Sequence, residues 1–210
     1  MVDHIHCVHF IDIVRHDDGT TYALFPYARA IMMPSGRLAY HHQLESTPEL
    51  VARLAHNISS ALEYIHTKHI VHRDVKPDNI LYQEDVGWFL LSDFGSAVLL
   101  ASDDDGYVSE SPATVAFYPP EVCVVDASRT HSGFSADVWA LGMTVYCFMH
   151  KKLPYDVQTD SYIDLVDEIA KFVDPSPLYE SMSDDANLKS ILATLLMERQ
   201  YWKPDSYDAH

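Results

Sequence analysis

The chain has 210 residues and a formal net charge of −17, from 14 Lys and Arg against 31 Asp and Glu. Hydrophobic residues make up 48% of the sequence, which is enough for the core of one folded domain and excludes disorder of the whole chain. The acidic balance argues against nucleic acids and anionic membrane surfaces as partners, because both are bound through clusters of Lys and Arg.

The sequence carries no targeting or metal-binding pattern. No apolar run approaches the roughly 18 residues that cross a bilayer, and Met1 is not followed by the basic and apolar regions of a secretory signal. Three widely spaced cysteines, Cys7, Cys123 and Cys147, are expected to be reduced thiols. The 13 histidines do not show the spacing of zinc ligands. We therefore expect a cytoplasmic or nuclear protein without a transition metal.

The first predicted elements are a strand and a long helix. Residues 21–27 (TYALFPY) have the composition of a strand. Residues 47–66 are predicted to be a helix that begins with Pro48 and Glu49 after Thr47. Its apolar residues recur at three- and four-residue intervals, as in an amphipathic helix. These predicted core positions are Leu50, Leu54, Ile58, Ala61, Leu62 and Ile65.

Further along the chain, short apolar runs at 80–82 and 89–92 predict a β-hairpin. Helices are predicted at residues 137–150, 162–173 and 188–197. Strands in the first part followed by helices in the second favour an α+β fold.

Two motifs lie at the ends of the predicted hairpin. The run HRDVKPDN occupies residues 72–79, and DFG follows at 93–95, fourteen residues after Asn79. Phosphoryl transfer needs a carboxylate that accepts the hydroxyl proton of the substrate, a nearby cation and oxygen ligands for Mg²⁺. Asp74 and Lys76 would supply the first two as catalytic residues, and Asn79 and Asp93 would hold the metal. In order and spacing the chain resembles a eukaryotic protein kinase.

Two downstream segments extend this resemblance. AFYPPE at 116–121 is similar to the segment that closes the kinase activation loop, with Glu121 in the place of its glutamate and PPE instead of the usual Ala-Pro-Glu. SADVWALG at 135–142 resembles the start of the long buried helix of the large lobe. The resemblance implies that Asp137 anchors the catalytic-loop backbone. It covers the chain from about Ile5 to about Ala209 and implies a kinase-like fold made mainly of the helical large lobe.

The resemblance also implies how the chain is divided. Residues 1–28 would be the end of the small lobe, with strands at 8–14 and 21–27, and the hinge; residues 29–210 would be the large lobe of one partial kinase domain.

The cofactors that the resemblance implies are ATP and Mg²⁺. Phe25 would lie at the back of the adenine pocket and Leu81 beneath the adenine ring. Pro26 and Ala28 would contact the nucleotide through the hinge backbone, and Lys76, Asn79 and Asp93 would face its phosphates. The family often has an acidic residue at the position of Pro26, but proline keeps the carbonyl that the hinge uses there.

Two parts of the family pattern have no counterpart in the sequence. There is no G-x-G-x-x-G loop, and Lys68, the only lysine before Lys76, lies just ahead of the catalytic loop. We expect the glycine loop and the strand lysine to lie upstream of Met1, and the end of the chain to stop short of the usual final helix. We therefore expect this chain by itself to be inactive.

The run around Lys76, together with Thr114 three residues before Phe117, is typical of serine/threonine kinases. The runs ATVAF at 113–117 and DVWALGMTVYCF at 137–148, followed by LPY at 153–155, are similar to the calcium/calmodulin-dependent kinase kinases and the SNF1-activating kinases. That branch would make downstream kinases substrates of this protein.

Arg73, next to Asp74, leaves two alternatives for regulation. A phosphate on Ser111 would pair with Arg73 and order the activation loop. Alternatively, acidic residues already present in the loop, at 103–105 and at Glu110, pair with Arg73 and make the enzyme constitutively active. We favour the constitutive alternative, because Pro112 limits which kinases would act on Ser111.

Three functions compete. The leading one is ATP-dependent phosphorylation of serine and threonine in protein substrates, whose basic residues near the acceptor would suit the acidic chain. The acidic charge also has a simpler explanation, which is solubility of the surface. The second is a non-catalytic scaffold of the pseudokinase type, and the third is a phosphotransferase acting on a small molecule. The presence of Asp74, Lys76, Asn79 and Asp93, the four residues that the phosphoryl-transfer chemistry needs, favours the protein kinase.

Overall fold

The computed structural model describes residues 2–34, 40–101, 107–108, 114–123, 131–156, 161–172, 174–180 and 185–197. The helices are α1 (Pro48–Thr67), α2 (Pro120–Cys123), α3 (Gly133–His150), α4 (Tyr162–Ala170), α5 (Ser176–Glu180) and α6 (Ala186–Met197). The strands are β1 (Asp12–Arg15), β2 (Thr21–Leu24), β3 (Arg29–Ala30), β4 (Met32–Pro34), β5 (Tyr40–His42), β6 (Ile70–Val71), β7 (Ile80–Gln83), β8 (Trp88–Leu91), β9 (Val98–Leu99), β10 (Tyr107–Val108) and β11 (His131–Ser132). Short 3-10 turns cover Pro77–Asn79, Phe94–Ser96 and Val115–Phe117.

The core is formed mainly by α1, α3 and α6. In α1, Thr47 caps the N-terminus by accepting the Leu50 N–H on its hydroxyl at 3.4 Å, and the apolar face of the helix is buried. Helix α3 is buried on nearly all sides, as expected for a helix at the centre of a domain. Close packing of α3 on α6 depends on Gly142, where a Cβ atom would lie 2.5 Å from Leu196 Cδ2.

The sheets are small and antiparallel. Strands β3, β7 and β8 form a three-stranded sheet in which Arg29 lies opposite Tyr82 and Ile80 opposite Leu91. Strands β1 and β2 form a separate two-stranded sheet whose side chains are all exposed. Small antiparallel sheets with a predominantly helical core confirm the α+β, kinase-like fold class.

The predicted elements agree with the structure except at some ends. The long helix and the hairpin are present within one residue of their predicted bounds, and the helix predicted from residue 137 begins four residues earlier, at Gly133. The strand predicted at 21–27 ends at Leu24, because Pro26 has no N–H with which to continue the ladder. The strand predicted at 8–14 begins only at Asp12, since Val8 instead donates its N–H to the Leu91 carbonyl of β8 at 2.8 Å.

Two further predictions concern helices near the end of the chain. The helix predicted at 162–173 ends at Ala170, where Phe172 N–H bonds back to the Ile169 carbonyl and tightens the last turn. The helix predicted at 188–197 starts two residues earlier than expected, at Ala186.

Among the described residues, no helix is both long and apolar enough to cross a bilayer. Cys7, Cys123 and Cys147 are buried free thiols. Burial raises the pKa of each of these thiols to about 12.

Candidate active site

The backbone of the catalytic loop is held by Asp137 at the buried start of α3. Its Oδ1 accepts the Arg73 N–H at 2.8 Å, and its Oδ2 accepts the His72 N–H at 2.8 Å. The same Oδ2 also accepts a hydrogen bond from His66 Nε2 at 2.9 Å. Arg73 has φ +68°, a left-handed conformation that L-residues adopt only when their surroundings impose it. The three bonds to Asp137 are part of those surroundings.

The side chain of Asp74 is the centre of a dense set of polar contacts. Its Oδ1 accepts the Thr114 N–H at 3.2 Å and the Thr114 hydroxyl at 3.0 Å. Its Oδ2 lies 2.9 Å from Lys76 Nζ and accepts a bond from Asn79 Nδ2 at 3.0 Å. Lys76 Nζ also donates to Thr114 Oγ1 at 2.7 Å. The sequence predicted Asp74, Lys76, Asn79 and Thr114 as functional residues, and the fold brings them together.

The protonation state of Asp74 follows from these contacts. Burial alone would raise the pKa of this carboxyl, but hydrogen bonds and charge from Lys76, together with the two bonds from Thr114, hold the pKa below its usual value. Asp74 is therefore a carboxylate at neutral pH, with two donors on each of its oxygens.

Asn79 and Asp93 lie beside each other because the strands that flank them pair. Asn79 precedes β7 and Asp93 follows β8, and the Ser92 N–H between them donates to the Asn79 carbonyl at 2.9 Å. Asp93 has φ +58°, and its Oδ1 accepts the Gly95 N–H at 3.2 Å. The amide oxygen of Asn79 has no partner among the described residues.

An amide oxygen and a carboxylate are hard oxygen donors that suit Mg²⁺, which keeps several waters and takes its other ligands from nucleotide phosphates. The donor set therefore fits the ion. Across the described part of the chain, no cluster of three or more His, Cys, Asp or Glu side chains is placed to hold a metal ion by itself.

The DFG phenylalanine packs inward. The ring of Phe94 lies edge-on to His72 with centroids 4.9 Å apart, and His72 Nε2 donates to the Ser92 carbonyl at 3.0 Å. Burial, the largest influence, lowers the pKa of His72 although nearby carboxylates oppose the shift, so the ring is neutral. This packing fixes the backbone on both sides of Asp93.

The residues predicted to contact adenine lie in or near the segment between β2 and β3. Phe25 is 48% exposed, and its ring centroid is 6.0 Å from that of Phe10. Pro26 and Ala28 lie between the two strands, and Leu81 lies opposite Ala30 in the β3–β7 pair. A groove next to this segment is lined by Tyr27, Ala28, Arg29 and residues 82–85, with an Arg29–Glu84 ion pair of 2.7 Å. Leu81 is therefore in the same sheet as β3, the strand that directly follows the hinge segment, and the nucleotide contacts remain predictions.

The activation-loop residues are only partly described. Ser111 and the acidic residues at 103–105 and 110 lie outside the described residues. Arg73 Nε donates to the Ser96 carbonyl at 2.6 Å, and Glu121 lies in α2. Neither alternative for the partner of Arg73 is therefore decided.

Sequence reasoning missed three contributors to the site: His66, Ser92 and Ser96. His66 was assigned to the long helix with no separate role, yet its side chain is fully buried against Asp137. A histidine on the apolar side of a helix was the available signal, because a buried polar side chain needs a partner. Ser92 and Ser96 act here through backbone or hydroxyl contacts that a side-chain pattern does not reveal.

A catalytic loop joined in this way to a DFG segment is the arrangement found in the protein-kinase fold. The family model described as the protein kinase domain matches residues 1–204, and the chain belongs to this family.

Its relatives are serine/threonine kinases. The chain is 41% identical over 108 residues to the calcium/calmodulin-dependent protein kinase kinase cmkC of Emericella nidulans, covering 51% of this chain and 20% of that protein. It is 35% identical over 138 residues to the serine/threonine-protein kinase TOS3 of Saccharomyces cerevisiae, covering 62% of this chain and 24% of TOS3. It is 38% identical over 112 residues to the serine/threonine-protein kinase GRIK2 of Arabidopsis thaliana, covering 52% of this chain and 27% of GRIK2. The chain thus spans between 20% and 27% of the length of these relatives.

Proposed function

We propose that this chain carries the catalytic residues of an ATP-dependent protein serine/threonine kinase. The observation that carries the proposal is the ionised Asp74 carboxylate, held by Lys76, Asn79 and Thr114 through contacts of 2.9–3.2 Å. A scaffold would have no need for a carboxylate whose pKa is lowered and whose two oxygens are oriented by four donors.

Each residue has a role in this proposal. Asp74 accepts the proton of the substrate hydroxyl and orients that hydroxyl for attack on the γ-phosphorus. Lys76 stabilises negative charge on the transferred group, and Thr114 fixes Asp74 and Lys76 relative to each other. Asn79 and Asp93 would hold Mg²⁺, which would neutralise charge on the phosphates of ATP.

The adenine contacts and the lobe boundary belong to the same proposal. We assign Phe25, Pro26, Ala28 and Leu81 to the nucleotide pocket, residues 1–28 to the end of the small lobe and the hinge, and residues 29–210 to the large lobe. Strand pairing supports the boundary: among the described strands, β3 begins at Arg29 and pairs with β7 of the catalytic hairpin, whereas β1 and β2 pair with each other. The segment before β1 also contacts this hairpin, through a bridge between Cys7 and Leu91.

The substrates would be proteins with basic residues near the acceptor, attracted by the net charge of −17. Kinases are further candidate substrates, since the name of the cmkC relative is that of a kinase acting on a kinase. For regulation we retain the proposal that acidic residues partner Arg73 and make the enzyme constitutively active. An unmodified enzyme that is silent until Ser111 is phosphorylated would overturn it.

The test measures phosphate transfer from ATP to a basic serine/threonine peptide by the protein that carries this chain. Asp74→Asn is expected to lower kcat by about 10²–10⁴-fold, the usual contribution of a positioned general base, while Mg-ADP still binds. Asp93→Ala is expected to abolish the Mg²⁺-dependent part of nucleotide binding. Asp167→Asn, on the exposed side of α4, is the matched control and should behave as the parent. Absence of turnover in the parent, together with normal folding and partner binding, would favour the scaffold.

A further inference from the structure

Asn79 is restrained at nearly every polar atom. Both protons of its amide nitrogen are used, one toward the Asp74 main-chain carbonyl at 2.8 Å and one toward Asp74 Oδ2 at 3.0 Å. Its N–H donates to the Lys76 carbonyl at 3.0 Å. Because both acceptors of the amide nitrogen are oxygens, the orientation of the amide is fixed, and its Oδ1 faces away from Asp74.

The main-chain carbonyl of Asn79 accepts two hydrogen bonds from one residue. The Ser92 N–H reaches it at 2.9 Å, as strand pairing requires, and the Ser92 hydroxyl also donates to it at 2.8 Å. Only the second bond depends on the identity of the side chain. Any residue could supply the first.

These contacts close into a ring of hydrogen bonds. Asp74 N–H donates to His72 Nδ1 at 3.3 Å, and His72 Nε2 donates to the Ser92 carbonyl. Ser92 donates to Asn79, and Asn79 donates back to Asp74. A ring of this kind couples the position of the catalytic carboxylate to the residue that directly precedes Asp93.

We propose that Ser92 is a positioning residue, whose hydroxyl holds the main chain of Asn79 in place and so keeps the Asn79 amide at the distance from Asp93 that Mg²⁺ requires. This inference rests on the proposed function. It assigns a role to a hydroxyl that belongs to neither the catalytic-loop motif nor DFG. If the hydroxyl only stabilised the end of β8, its loss would lower stability without a specific effect on the metal.

The experiment compares ADP binding with and without Mg²⁺ by calorimetry, in the protein that carries this chain. Ser92→Ala should raise the Mg²⁺ concentration at half-maximal ADP binding about three- to tenfold, the effect of losing one hydrogen bond. ADP affinity in EDTA should be unchanged. Ser92→Thr keeps the hydroxyl and should restore the parent value, and Ser92→Cys, with a weak donor, should lie between the two.

Ser59→Ala is the matched control, because Ser59 is exposed on α1 and its hydroxyl makes no hydrogen bond within the described part of the chain. An unchanged Mg²⁺ midpoint in Ser92→Ala would overturn the inference. Equal loss of affinity with and without Mg²⁺, accompanied by a lower Tm, would also overturn it by showing a structural role. A parent protein that binds no ADP at any Mg²⁺ concentration would instead overturn the proposed function itself.

Discussion

Substitution of Asp137 tests how the catalytic loop is held. The carboxylate is 1% exposed and accepts three hydrogen bonds, from the backbone of His72 and Arg73 and from the ring of His66. In Asp137→Asn one side-chain oxygen remains and can keep the Arg73 N–H. The other position becomes an NH₂ group that faces two donors.

The magnitude follows from the donors left without an acceptor. Each buried unsatisfied donor costs about 1–3 kcal/mol, so two of them predict a loss of about 2–6 kcal/mol in the free energy of unfolding. Typical domains have a free energy of unfolding of about 5–15 kcal/mol, so a domain of average stability still folds after this loss. Asp137→Ala removes both oxygens and should cost about 3–5 kcal/mol, as when one partner of a buried pair is deleted.

The assay is urea unfolding combined with amide hydrogen exchange. Exchange at the His72 and Arg73 amides should accelerate more than exchange in the middle of α1, since those two amides lose or weaken their acceptors. Asp167→Asn, on the exposed side of α4, is the control and should stay within about 0.5 kcal/mol of the parent. A loss below about 1 kcal/mol in Asp137→Asn, with unchanged exchange at the two amides, would refute the anchoring role.

Three further predictions concern stability. The pKa of His6 is lowered, first by burial and then by neighbouring His4, so the unfolded chain binds more protons as pH falls through about 6.5, and Tm should fall from pH 7.5 to 5.5. His6→Gln keeps an acceptor for Asn57 Nδ2 but cannot be charged, so Tm should depend less on pH in this variant. The same change of Tm with pH in variant and parent would contradict this prediction. His69 has φ +57° and a buried Nδ1 with no hydrogen-bond partner among the described residues, so His69→Gly should raise the free energy of unfolding by about 1 kcal/mol, and a decrease in urea titration would count against it. Gly142→Ala should cost about 1–3 kcal/mol by overpacking α3 against α6, and a Tm equal to the parent's would show that α6 yields freely.

Sequence patterns predicted the elements whose formation depends on residues close together in the chain. The period of the apolar residues and the Thr47 cap located α1, because an amphipathic helix must repeat its apolar residues at its own period. The short pair β3–β7 was not predicted. A strand of two residues, Arg29–Ala30, has no period to detect, and its partner is about 50 residues away in sequence.

The sequence predicted those residues of the candidate site that belong to contiguous motifs. Asp74, Lys76 and Asn79 come from one run of eight residues. The contacts that hold this run come from far along the chain, as in the bond between His66 and Asp137, 71 residues apart. A buried histidine shows that a partner is needed, but only the tertiary fold decides which carboxylate supplies the acceptor.

The register of the β7–β8 hairpin connects the turn to the chemistry. Four residue pairs, from Gln83 opposite Trp88 to Ile80 opposite Leu91, lie between a turn at residues 84–87 and the bond from Ser92 to Asn79. Gly87 permits that turn, because its φ of +70° is strained for other residues. A slip of one residue would reverse the side chains of one strand and separate Asn79 from Asp93. The spacing of fourteen residues between Asn79 and Asp93 is therefore the sum of a fixed register and one turn. A change in the length of the turn, or an equal lengthening of both strands next to it, would alter that spacing while keeping both side chains at the site.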